Sequence, residues 1–311
     1  MPFMVLARAP FLPRFSSKSP LFWPLSEAAS ALSGWGEWPS VADIDRLLSP
    51  RAGVAFRVQP ERPRRRRRRA PFDPEALYDA RIIQGGWVPT RERSWHDLLN
   101  ALVWATFPRS KRALHQRQHD AIATRIEEGA SALPARRSRE LDGLAIVDEG
   151  GLLLLCERGL FDEVEDALSR REREPIDCAI ASGRVSALVF GHALYEHLIV
   201  GDQTITAMTA LLAHDGPLPR APRALCEAAD ERMRDLLATP ASLSDPDAFR
   251  SLPVDARLVP PSASHTSDRA LRDVQEATGE QHRDEHEPGG ETPPQADRSE
   301  TRGEAEQQRD R

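Results

Sequence analysis

Apolar residues recur at helical spacing through most of the middle of the chain. Residues 94–107 give the clearest case. At about 100° per residue, Trp95, Leu98, Leu99, Leu102, Val103 and Thr106 cover one broad face, with Ala101 and Ala105 beside it. Only His96, Asp97, Asn100 and Trp104 fill the remaining arc. Ser94 suits the N-cap, Asp97 stands at the third helical position as in a capping box, and Pro108 ends the run. The same pattern predicts helices over 40–48, 74–84 (capped by Asp73, stopped by Gly85 and Gly86), 110–128, 160–173, 183–200, 204–213 and 222–237. Residues 142–156 read as a β-hairpin, with an apolar run, a turn at Asp148-Glu149-Gly150-Gly151 and a return along Leu152 to Leu155. The expected fold class is mainly α: a compact helical domain with one small β-hairpin, followed by a disordered C-terminal tail.

Composition divides the chain further. From about Pro260 onward it is polar and lacks aromatic residues, so it cannot bury enough apolar surface to offset its ordering entropy. The expected layout is an N-terminal extension over 1–20, a single domain over 21–258 with an Arg-rich inserted loop at 60–71, and a disordered tail over 259–311. In that loop Arg62 and then Arg64, Arg65, Arg66, Arg67, Arg68 and Arg69 sit among prolines. The run reads either as a solvated loop or as a phosphate-backbone contact with nucleic acid, which would be sequence-independent and salt-sensitive. The net charge of −6 argues against the whole chain being a polyanion binder. Three scattered cysteines, Cys156, Cys178 and Cys226, form no CxxC pair and suit a reducing cytoplasm rather than a disulfide framework. No apolar run of about 18 residues suggests a membrane span.

Candidate chemistry sits in the polar stripe. A helix this apolar is largely buried, so His96, Asp97 and Asn100 should line a cleft or an interior contact and need polar partners. His115 and His119 are four apart and share a face with Ile122 and Ile126. His192 and Glu196 are also four apart, on the face of Val185, Leu188, Val189 and Ile199, while His197 points elsewhere. A site built from His96, Asp97, Asn100, His192 and Glu196 could hold a divalent metal or serve as general acid and base. The possible metal ligands are His96, His119, His192 and Glu196. A helical phosphohydrolase version would use His96, the His119-Asp120 pair and Asp177. The plainer alternatives are a non-catalytic binding or scaffold protein, in which His192 and Glu196 form a structural pair, Asp97 is a cap, and Asp148 and Glu149 are turn residues.

Three segments carry a resemblance: VPTRERSWHDLLNALVWATFPRSK, DGLAIVDEGG and FGHALYEHL. With the upstream WPSVADIDRLL they resemble, in the same order, the bacterial family called Domain of Unknown Function 3025. The family's motif falls on Val88, Pro89, Thr90, Arg91, Trp95, His96, Asp97, Asn100, Ala101, Pro108 and Lys111, then on Asp148, Glu149, Gly191, His192 and Glu196. His115 stands where similar sequences often carry Asn, which weakens it as a ligand. The arginine run looks peculiar to this chain. The resemblance implies no substrate and no cofactor.

Overall fold

The computed structural model describes residues 9–59, 73–126, 132, 136–201 and 205–261. Both the arginine run and the stretch after residue 261 lie outside them. Ten α-helices and six strands follow in chain order among the described residues. The helices are α1 (Ser26–Ser30), α2 (Val41–Ala52), α3 (Tyr78–Ile83), α4 (Trp95–Thr106), α5 (Pro108–Ala123), α6 (Arg139–Gly150), α7 (Phe161–Arg170), α8 (Glu174–Ala181), α9 (His192–Val200) and α10 (Pro222–Leu237). The strands are β1 (Ala55–Val58), β2 (Trp87–Thr90), β3 (Gly151–Glu157), β4 (Val185–Val189), β5 (Thr206–His214) and β6 (Arg250–Pro253).

The fold is therefore mixed α/β, and the mainly helical expectation with one hairpin is wrong. β1 and β2 form a small parallel pair, and the other four strands form a sheet in the order β4-β3-β5-β6. β3 runs antiparallel to β4 and parallel to β5, and β6 is antiparallel to β5. Three segments differ from the reading of their sequence, each for its own reason. Every residue of β4, and all of β3 but Glu157, is buried, so the strands carry unbroken apolar runs instead of alternation. Residues 142–150 belong to helix α6, and Gly150 and Gly151 end that helix where a hairpin turn was expected. Residues 183–200 divide into β4 and α9, and residues 204–213 fall largely in β5, where Ala, Met and Leu look helical in isolation.

Local signals explain the remaining elements. Ser40 and Asp43 make a reciprocal capping box at the start of α2, and Gly53 closes that helix at φ 66°. Ser94 accepts a hydrogen bond from the Asp97 amide at 3.3 Å, so α4 starts where expected. Asp97 does not complete a box, because its carboxylate turns to Arg91. α10 has the bounds read from its pattern. An aromatic cluster fixes the buried face of α4. Trp95 meets Trp38 at a ring separation of 4.9 Å, Phe15 at 5.4 Å and Phe11 at 5.7 Å. Phe11 and Phe15 come from the stretch expected to be an extension, yet both are buried in this core.

Candidate metal centre

Helix α9 packs against both α4 and α6, and this three-way contact assembles the site. It depends on a close backbone crossing. The Phe190 and Gly191 amides both donate to the Gly151 carbonyl, at 3.0 and 2.8 Å. A Cβ on Gly191 would stand 2.5 Å from both the Glu149 carbonyl oxygen and the Gly151 nitrogen, so only glycine fits here. The crossing lays the first residue of α9, His192, against the C-terminal end of α6.

There the His192 Nδ1–H donates to the Asp148 carbonyl at 2.9 Å, one of the carbonyls that a helix end leaves without an intrahelical partner. A carbonyl can only accept, so this bond places the proton on Nδ1. Burial, opposed by Asp148 and reinforced by the Lys111 and His96 charges, pushes the His192 imidazole down to about 3, so it is neutral near pH 7. Its Nε2 is therefore a bare lone pair. This lone pair faces His96 Nε2 at 3.1 Å and Glu149 Oε2 at 3.3 Å.

His96, in the first turn of α4, donates Nδ1–H to Glu196 Oε1 at 2.7 Å. Burial lowers its pKa, but the Glu196 hydrogen bond and the carboxylates of Glu149, Glu196 and Asp97 outweigh it, and the net shift is upward. Glu149 is raised by partial burial and by Asp148 and Glu196, against the pull of His96 and Lys111. One ligand atom from each of His96, Glu149 and His192 lies within 4.8 Å of the others. Among the described residues this is the single such grouping of three His, Cys, Asp or Glu side chains. His192 is buried, His96 partly buried and Glu149 exposed, so the cluster opens to solvent on one side.

The five expected site residues divide unevenly. His96, His192 and Glu196 form one hydrogen-bonded chain. Asp97 stands beside them, paired with Arg91 at 2.8 Å and with the Arg91 amide at 2.5 Å. Asn100 donates to the Tyr78 hydroxyl at 3.3 Å. Glu196 does not take part in the three-atom grouping, since its oxygen is spent on His96. Glu149 takes that place. It was missed because the Asp-Glu-Gly-Gly stretch passes for a turn, although two glycines after an apolar helical run also mark a helix end.

Other expectations separate from the site. His115 is buried between Asp79, at 2.9 Å, and the Trp104 ring, stacked at 5.4 Å. His119 contacts Gln84 at 3.3 Å and lines an apolar cleft of about 220 Å³ with Pro74, Leu77, Ile122 and Ile126. Ile122 and Ile126 are only half-buried there. Asp177 pairs with Arg173 and Arg257. His119, Asp120 and Asp177 thus do not gather around His96. The predicted face joining His192 to Val185 and Leu188 does not exist, because those residues lie on β4.

The fold is mixed α/β, and its polar centre brings one atom each of His96, Glu149 and His192 within 4.8 Å of one another. The chain belongs to the family described as Protein of unknown function (DUF3025), whose model matches residues 67–268. No curated protein and no solved structure matches the chain. No helix among the described residues is long and apolar enough to cross a membrane.

Proposed function

We propose that the chain is a metal-dependent hydrolase in which His96, His192 and Glu149 bind one divalent cation of the zinc or iron(II) type. The observation that carries this reading is the outward anchoring of both imidazoles. His192 gives its Nδ1–H to a backbone carbonyl and His96 gives its Nδ1–H to a carboxylate. Metal-ligating histidines have this arrangement almost invariably, because it fixes the tautomer and aims Nε2 at the ion. Two such nitrogens on a tetrahedral ion, each at about 2.0–2.1 Å, stand roughly 3.3 Å apart. The separation here is 3.1 Å.

Two imidazoles and one carboxylate leave at least one coordination position open, as in catalytic rather than structural sites. The exposed side, next to Glu149, is where water and substrate would reach that position. A bound divalent ion there would supply Lewis acidity and lower the pKa of a bound water. The chain's own residues hold the ligands: Glu196 orients His96, and the Asp148 carbonyl orients His192. A reducing cytoplasm is the compartment we infer.

The test is metal analysis of protein purified both aerobically and anaerobically, with Zn²⁺ and Fe²⁺ titrations. One equivalent bound by the wild type, and little by His96→Ala or His192→Ala, supports the centre. Wild-type protein that binds neither ion sinks it.

A further inference from the structure

We infer that Lys111 is a positioning residue for this centre, clamping the end of α6 so that Glu149 and His192 meet in ligating register. The inference rests on the metal reading and adds a residue that touches no ligand atom. Lys111 projects from α5, is completely buried, and forms an ion pair with Asp148. Its ammonium also lies 5.7 Å from the centre of the Trp104 ring. A buried lysine is costly unless paired, so its location needs a reason.

Asp148 supplies that reason, because it works in two directions at once. Its side chain takes the lysine, while its main-chain carbonyl takes the His192 Nδ1–H at 2.9 Å. The next residue, Glu149, carries the carboxylate that lies 3.3 Å from His192 Nε2. One cation therefore fixes the peptide that orients one ligand and bears another. Its position also suits the helix, since positive charge is favourable at a C-terminus. α5 packs on α6, so the clamp is built on two rigid elements.

Co²⁺ titration of the full chain tests this, read by the binding constant and by the visible absorption bands, which report coordination geometry. Wild type, Lys111→Met, Asp148→Asn and the Lys111→Met/Asp148→Asn double variant are compared, each checked for folding by thermal melting without metal. The expected result is a 10–100-fold weaker Co²⁺ affinity with altered bands in each variant, the usual cost of losing an outer-shell partner. The double variant should melt closer to wild type than Lys111→Met does, since no charge is left unpaired, yet still bind weakly. Wild-type affinity and bands in any folded variant would overturn the role of Lys111. If the wild type itself takes up no Co²⁺, Zn²⁺ or Fe²⁺, the metal reading fails first and this inference goes with it. Should Lys111→Met and the double variant not fold, Asp148→Asn alone decides the matter, because it keeps the carbonyl and the lysine.

Discussion

The Nε2 atoms of His96 and His192 face each other at 3.1 Å, and both rings already use Nδ1–H elsewhere. Two bare lone pairs at that distance repel, so a positive species must sit between them. With His192 neutral, a proton on His96 would fill that role by donating Nε2–H to His192. The upward shift of His96 and the downward shift of His192 agree with this division. A divalent ion would occupy the same place and expel that proton.

Metal uptake should therefore release about one proton per ion at pH values where His96 is charged. Calorimetric titration with Zn²⁺ in buffers of different ionisation enthalpy measures the number. His96→Ala should abolish both the release and most of the binding. Zn²⁺ at 100 times its dissociation constant should stabilise the wild type by about 2.7 kcal/mol. That stabilisation should vanish in His192→Ala and shrink in Glu149→Gln. Equal stabilisation of all four proteins would assign the metal elsewhere.

The same pair should give the metal-free protein a stability maximum near pH 6.5. For His192 the folded pKa is about 3, below the unfolded value. As pH falls below about 6.5 the unfolded chain takes up a proton that the folded one refuses, and stability drops by up to about 1.4 kcal/mol per pH unit. For His96 the folded pKa is raised, so its contribution is full below about 6.5 and is lost as pH climbs through the folded value. Asp148, held ionised against burial chiefly by Lys111, adds a loss confined to pH below about 4. Urea denaturation between pH 4 and pH 9 should show both limbs. His192→Asn, which can still donate to the Asp148 carbonyl, should flatten the acid limb alone, and His96→Gln the alkaline one. An acid limb that survives His192→Asn would exclude His192 as its source.

How far the sequence revealed this centre depended on the period each segment obeys. α5 and α10 have one apolar face each and α4 a broad one with an N-cap at Ser94, so helical spacing disclosed them, and with them His96; Trp104, on the arc read as polar, is buried too. The helical i, i+4 spacing of His192 and Glu196 was sound even though the helix begins at His192 itself. Of the larger sheet, β4 is hidden because it is covered on both faces and loses the alternation that marks a strand, and β5 because its Ala, Met and Leu look helical in isolation. The return arm of the expected hairpin, Leu152 to Leu155, does lie in β3; the error is in the other arm, which is helix α6, and it conceals Glu149 and the double role of Asp148. Gly191 stands in the motif of the resemblance, but spacing alone does not show its role, since its need comes from a backbone some forty residues away.

Gly191→Ala should show how tightly the site depends on that crossing. An added methyl at 2.5 Å from the Glu149 carbonyl meets backbone, which cannot swing aside like a flexible side chain. Overpacking of this kind costs about 1–3 kcal/mol. The displaced atoms belong to the peptides around Glu149 and His192, so metal affinity should fall along with stability. Gly150→Ala is the control, because nothing lies within 4 Å of a Cβ there. It should change neither quantity appreciably, as read by denaturation and Zn²⁺ titration. A Gly191→Ala protein as stable as the control would mean that α9 can move away from α6 freely.

Phe15→Ala separates support of α4 from support of the ligands. Phe15 is buried, packs edge-on to Trp95 at 5.4 Å and reaches Phe22 at 5.8 Å. Phe22 in turn lies 4.9 Å from Tyr195 on α9. This aromatic path braces α4 and α9, with Trp95 next to His96 and Tyr195 next to Glu196 in sequence. Truncating a buried Phe costs about 3–5 kcal/mol. The His96 and His192 rings keep their own anchors, so Zn²⁺ affinity measured well below the melting temperature should change far less than in Gly191→Ala. Near-wild-type stability of Phe15→Ala would mean that the N-terminal stretch adds little to the core. A collapse of metal affinity in a folded Phe15→Ala protein would instead make the aromatic path part of the centre's positioning.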